Sequence, residues 1–199
     1  MITAGYDRDF DEVLAGARDA IRPPEPCGRW RAIRLRPGAI RLPHRVGLDL
    51  GGIAKGWTVD RALADAMATG IGWLLVNAGG DLRVVGDVAP LEVAVEDPDA
   101  PQHELLRLRL RTGALATSSV TKRAWGTHAH HLIDPRTGTS AATDLIQATA
   151  WAPTCAEAEV RAKDLLLRGT GRDVTFPSAV VTREGQVVVF MARAQTVAA

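Results

Sequence analysis

Two glycine pairs stand at the ends of apolar runs, in Leu48-Asp49-Leu50-Gly51-Gly52-Ile53-Ala54-Lys55-Gly56 and in Val76-Asn77-Ala78-Gly79-Gly80-Asp81. Glycine has no Cβ, so backbone at such places can come close to a flat ring or a pyrophosphate. The first pair opens what reads as a helix from Ile53 to about Met67. A helix N-terminus offers unpaired N–H groups and the positive end of the dipole, which suits an anion such as phosphate. Lys55 adds a point charge there, its plainer role being that of a solvated helix lysine. Asp49 ends the apolar run before the glycines, a place where a carboxylate also caps helices. The order fits neither GxxxxGK[ST] nor GxGxxG, so alone it points to a nucleotide or phosphorylated ligand and no further. Asn77, Gly79, Gly80 and Asp81 are ordinary turn residues. The same turn is read as one wall of the ligand pocket.

Other residues bring hydroxyls, imidazoles and charge. Thr117 and Ser118 place hydroxyls at a strand end, where β-propensity and loop preference also explain them. Arg123 is a candidate phosphate partner. His128, His130 and His131 invite a metal reading, and His128 and His130 would share one strand face. Zinc takes three or four protein ligands, and a third is not evident. On the last helix Glu159 and Lys163 are four residues apart with the acid on the N-terminal side, well placed to pair.

In order and spacing these segments, with Leu115-Ala116-Thr117-Ser118-Ser119 and His130-His131-Leu132-Ile133-Asp134-Pro135-Arg136-Thr137-Gly138, resemble the ApbE family of flavin transferases. The resemblance runs from Ala4-Gly5-Tyr6-Asp7 to the last strand. It implies an enzyme that takes FAD and, with Mg²⁺, attaches the FMN half to a Thr or Ser of a flavin-acceptor protein through a phosphoester, releasing AMP. It assigns flavin binding to Asp49, Lys55, Asn77, Gly79, Gly80, Asp81, Thr117, Ser118 and Ile133, and a magnesium contact to the Gly52 carbonyl. His131 becomes the catalytic residue, assisting proton transfer with the target hydroxyl, a task its titration range suits. Ser119 stands where the family usually has glycine. Glu159 and Lys163 fall where the family has Asp and Thr as magnesium ligands. A glutamate can supply one oxygen from a longer arm, but an ammonium cannot ligate, so Lys163 replaces a ligand. Two other readings stay open: an FAD pyrophosphatase, with water as acceptor, and a non-catalytic flavin-binding member.

The 199 residues are 46% hydrophobic with a formal net charge of +1. That length fits one domain, residues 1–199, lacking the N-terminal portion that usually precedes the Ala4-Gly5-Tyr6-Asp7 segment in the family. Near-neutral charge argues against nucleic acid as a partner. Two cysteines form no framework. No apolar run approaches the roughly 18 residues of a membrane span, and no signal peptide or lipoprotein motif is present, so the default expectation is cytoplasmic. Basic residues are overwhelmingly Arg, which singles out the three lysines, Lys55, Lys122 and Lys163.

The elements that must position these residues follow from periodicity. Helices are predicted over Asp9–Ile21, from Ile53 and over Cys155–Arg168, the last opened by a Thr154/Glu157 capping box. Strands are predicted at Trp30–Arg36, Ala39–Leu42, Val46–Leu50, Trp73–Asn77, Leu82–Val85, Leu91–Glu96, Leu105–Arg111, Ala114–Ser118, His130–Ile133, Ile146–Trp151, Val180–Thr182 and Gln186–Phe190. The expected class is α+β, with mixed, largely antiparallel sheets and packed helices in a T-fold-like domain.

Overall fold

The computed structural model describes residues 9–15, 26, 28–125, 129–169 and 173–191. The chain divides into two compact units, one of residues 1–50 and 123–142, the other of residues 51–122 and 143–199.

The second unit is built on a six-stranded antiparallel sheet. Its strands are β3 (Trp73–Ala78), β4 (Asp81–Gly86), β7 (Gly113–Ser119), β10 (Leu145–Ala152), β11 (Ser178–Thr182) and β12 (Val187–Phe190), in the spatial order β12-β11-β10-β7-β4-β3. Alternation along β7 separates its two faces. Ala114 and Ala116 join Ala152 against Val59 of helix α2 (Ala54–Met67) and against Cys155 and Ala158 of helix α3 (Cys155–Arg168). Leu115 faces the other way, with Leu82 and Val84, under a hairpin of β5 (Leu91–Glu96) and β6 (Glu104–Leu110). Alanines on the helix side let the helices lie close to the sheet. Leucines and valines fill the wider space beneath the hairpin. The class is α+β, as the sequence predicts.

The two helices cross at Gly56. A Cβ there would lie 2.6 Å from the Cys155 carbonyl oxygen and 2.7 Å from the Ala156 nitrogen, so only glycine fits. Helix α3 is capped by Thr154, whose Oγ1 accepts the Glu157 N–H at 3.3 Å. The Glu157 carboxylate pairs with Arg161, at 2.6 Å.

The first unit holds α1 (Phe10–Ala15), a 3₁₀ turn (Arg29–Ala32), the hairpin of β1 (Arg34–Arg36) and β2 (Ala39–Arg41), and the short pair β8 (Ala124–Trp125) and β9 (Ala129–His130). Three expectations change here. Val46–Leu50 is not a strand: it follows a turn at His44–Arg45 and pairs with no strand among the described residues, with Leu48 and Leu50 exposed. Trp30 to Ala32 coil into the 3₁₀ turn, closed by the Ile33 N–H on the Trp30 carbonyl, so the strand shortens to Arg34–Arg36. The strand over His130–Ile133 stops at His130, because the chain turns back and Ile133 makes only a single bridge to Ser140. The predicted helix beyond residue 15 lies outside the described residues.

Candidate functional site

In the second unit the predicted residues gather where α2 begins. The helix has Ile53 at its N-cap position, whose side chain makes no capping bond. Asp49 is therefore not the N-cap residue. The hairpin joining β3 to β4 turns at Gly79 (φ 63°) and Gly80 (φ 92°). Two successive left-handed residues are what a two-residue hairpin of this twist demands. Asn77 closes the turn, its Oδ1 accepting the Gly80 N–H at 2.9 Å. A Cβ at either glycine would meet nothing within 4 Å, so this backbone is open to approach.

Asp81 follows the turn with its side chain 2% exposed, and Lys55 reaches it from the first turn of α2, Nζ to Oδ2 2.5 Å. Apart from that charge pairing, Oδ2 has no hydrogen-bond partner among the described residues. Burial raises the Asp81 pKa, outweighing the opposing pull of Lys55. Half of the Lys55 side chain is exposed, so its ammonium stands at the boundary with solvent.

Behind this pair lies a second one. Glu159, wholly buried on α3, accepts the Gly56 N–H at 2.9 Å through Oε2 and the Lys163 ammonium at 3.0 Å through Oε1. A Cβ on Gly52 would sit 3.8 Å from both Cδ and Cε of Lys163, so the lysine stem passes alongside Gly52. The charges of Glu159 and Lys163 both act on Asp81. Thus Gly52, Lys55, Asp81, Glu159 and Lys163 form one corner.

Thr117 and Ser118 divide between the sheet faces, as neighbours on a strand must. The Thr117 hydroxyl bonds that of Thr149 at 2.8 Å, on the face away from the helices, while Ser118 is buried on the helix side. On Thr149's face opens a cleft of about 540 Å³, lined by Leu108, Leu115, Trp151 and Phe190 among others. Ser119 is spent on structure, its Oγ donating to the Ile146 carbonyl at 2.9 Å.

Sequence reasoning missed Asp60 and Arg83. Asp60 accepts the N–H groups of Cys155 (2.8 Å) and Ala156 (3.0 Å), and pairs with Arg83 at 2.8 Å. It is a cap for α3 supplied by α2. The signal was present: Gly56, Val59, Asp60 and Leu63 form one helical stripe, and a carboxylate in a core-facing stripe needs donors. Burial, then the Asp81, Asp60 and Glu159 carboxylates, push the Cys155 thiol up to about 12, so it packs as a small apolar residue.

The first unit holds the histidines. The His131 N–H donates to the Arg123 carbonyl at 3.1 Å, and the His131 side chain is half-buried. His130 is buried, its Nδ1 accepting the Leu132 N–H (3.3 Å) and its Nε2 facing the Ala141 carbonyl (3.1 Å), a use of both ring nitrogens that suits the neutral imidazole. His128 lies outside the described residues, among which no group of three or more His, Cys, Asp or Glu could hold a metal. Asp134 anchors the following turn, accepting the Arg136 N–H and clasping its guanidinium. That guanidinium holds the Asp134 pKa below the usual carboxylate range. Asp49 and Ile133 also belong to this unit.

A family model described as the ApbE family matches residues 10–179. The chain belongs to that family. It is 29% identical over 183 residues to a FAD:protein FMN transferase of Treponema pallidum, covering 80% of this chain and 51% of that protein. A FAD:protein FMN transferase of Vibrio cholerae is 30% identical over 140 residues, or 66% of this chain and 42% of that protein. The chain spans about half the length of the curated relatives it matches. In fold it is similar to an ApbE protein of Thermotoga maritima, with TM-score 0.71 and 24% identity over 90% of this chain and 60% of that one. A flavin transferase ApbE from Vibrio cholerae gives TM-score 0.66 at 23% identity, over 92% of this chain and 60% of that one.

The magnesium that the ApbE resemblance implies does not fit the donors found here. Magnesium needs oxygens in near-octahedral array. At this corner an ammonium lies beside Gly52 and is already bonded to Glu159. Among the described residues no helix is long and apolar enough to cross a membrane.

Proposed function

We propose that this ApbE-family chain handles FAD as a FAD:protein FMN transferase does, with both units parts of one family domain and a protein bearing a Thr or Ser as acceptor. The observation that carries the reading is the half-exposed Lys55 side chain, its ammonium set against Asp81 at the start of α2 beside an open two-glycine turn. Such a corner suits a diphosphate: the Lys55 ammonium and the N–H groups of Ala54 and Lys55 would meet its oxygens, the Gly56 N–H being held by Glu159, and the bare turn would let a flat ring approach. Asp49, Asn77, Thr117, Ser118 and Ile133 are proposed flavin contacts on the resemblance. In the transfer, the acceptor hydroxyl oxygen attacks the FMN phosphorus, the bond to AMP breaks, and the hydroxyl proton passes to His131. Phosphoryl-type transfer depends on positioning and charge neutralisation. The Lys163–Glu159 pair therefore favours a second reading, a member that binds flavin and transfers it poorly or not at all.

The test is incubation with FAD and a peptide bearing an acceptor threonine, read as peptide-bound flavin and released AMP. Transfer is expected at low rate, and His131→Ala should lower it at least tenfold while FAD affinity stays within about twofold, because a proton moves only during reaction. Saturable FAD binding without peptide-bound flavin selects the second reading. AMP release without peptide-bound flavin selects the pyrophosphatase. No FAD binding by the folded chain rejects all three.

A further inference from the structure

Two carboxylates, Asp81 and Glu159, are buried at the corner where the Gly51–Gly52 turn enters α2, with side chains only 2% and 1% exposed. Buried carboxylates require counter-charge. Lys55 supplies one charge from the solvent side, its arm half exposed and able to turn to a ligand. Lys163 supplies the other from within. Its side chain is 19% exposed, its stem packs along Gly52, and its head is held by Glu159 at 3.0 Å. Its charge reaches Asp81 as well.

We propose that the Lys163 ammonium is the resident cation of this corner, standing in for a divalent metal ion and keeping the native chain metal-independent. The four side chains sum to zero charge. A divalent ion with a neutral residue at position 163 would leave one positive charge there, so the native corner attracts a diphosphate less strongly than a metal-loaded one. The ammonium also repels any incoming cation and offers no lone pair to it. Removing it would leave the Glu159 Oε1 buried without its partner, two carboxylates facing one remaining ammonium, and space beside the Gly52 backbone. A hard divalent cation with its own waters answers that need. The inference concerns the chain without flavin and holds whether or not FMN is transferred.

The test uses the full chain, stripped with EDTA, as native protein and as Lys163→Thr and Lys163→Ala. Mn²⁺ is the probe, followed by loss of the free-ion paramagnetic signal and by melting temperature. Native protein should take up no Mn²⁺ at millimolar concentration and melt at the same temperature with or without it. Both variants should melt lower in EDTA, bind one Mn²⁺, and regain several degrees. The double variant Glu159→Gln/Lys163→Met, with neither charge, should fold and take up none. Should a single variant not fold in EDTA, its refolding yield with Mn²⁺ against EDTA is the readout, and equal yields count against the proposal. Mn²⁺ uptake by the native chain, or folded single variants that bind none, would overturn it.

Discussion

Two aspartates of similar burial carry opposite instructions about pH. Asp134 is held by the Arg136 guanidinium and its pKa lies below the ordinary value. Its contribution to stability is full above the unfolded pKa of about 3.9 and is lost as pH falls through the folded value. Asp81 is shifted the other way by burial. Its contribution to stability is full below the unfolded pKa of about 3.9 and is lost as pH rises through the raised folded value. Asp134→Asn should therefore lower stability at neutral pH, and Asp81→Asn should raise it or leave it level, with both differences shrinking toward pH 3. Urea unfolding across pH 3 to 7 checks the pair, and equal signs for the two variants would reject the assignment. The sequence marked both as motif residues. It could not show that Asp134 would be clasped by an arginine while Asp81 would not, since the Asp81 environment depends on contacts from α2 and α3.

The elements legible in the sequence were those with a strong period and a core to meet. Helices α2 and α3 and strands β3 to β7 and β10 lie where apolar spacing places them, within a residue or two. Val46–Leu50 alternates apolar residues and pairs with no strand among the described residues, so composition alone misleads there. What spacing could not reveal was the α2–α3 crossing, because it depends on two backbones meeting at Gly56. Gly56→Ala should cost about 2 kcal/mol by overpacking against fixed backbone. Asp60→Ala should cost about 3 kcal/mol, since it leaves Arg83 unpaired and frees two N–H groups at the start of α3. Asp60→Asn should cost less, keeping one acceptor oxygen. Chemical denaturation at constant slope measures all three, and a neutral Asp60→Ala would show that Thr154 caps α3 sufficiently by itself.

At the scale of the molecule, family membership was legible because its motifs are local: the glycine pairs, the Leu115–Ser119 segment and a histidine before Ile-Asp-Pro. The electrostatics of the corner were half legible. The ammonium at position 163 was visible as a departure, while its packing on Gly52 and its bond to a fully buried Glu159 required the fold. Of the three lysines in an arginine-rich chain, Lys122 pairs with Glu96 on the surface, Lys163 is internal, and Lys55 is the one poised at solvent beside the open turn. The central claim is that this corner of the second unit receives the phosphates of a flavin nucleotide. Flavin-fluorescence titration of native chain and Lys55→Gln, each with FAD and with riboflavin, tests it most directly. The native chain should bind FAD saturably, and Lys55→Gln should lose about tenfold, or ~1.4 kcal/mol, for FAD and nothing for riboflavin. An equal loss for both ligands, or no saturable FAD binding by the folded native chain, would contradict the account.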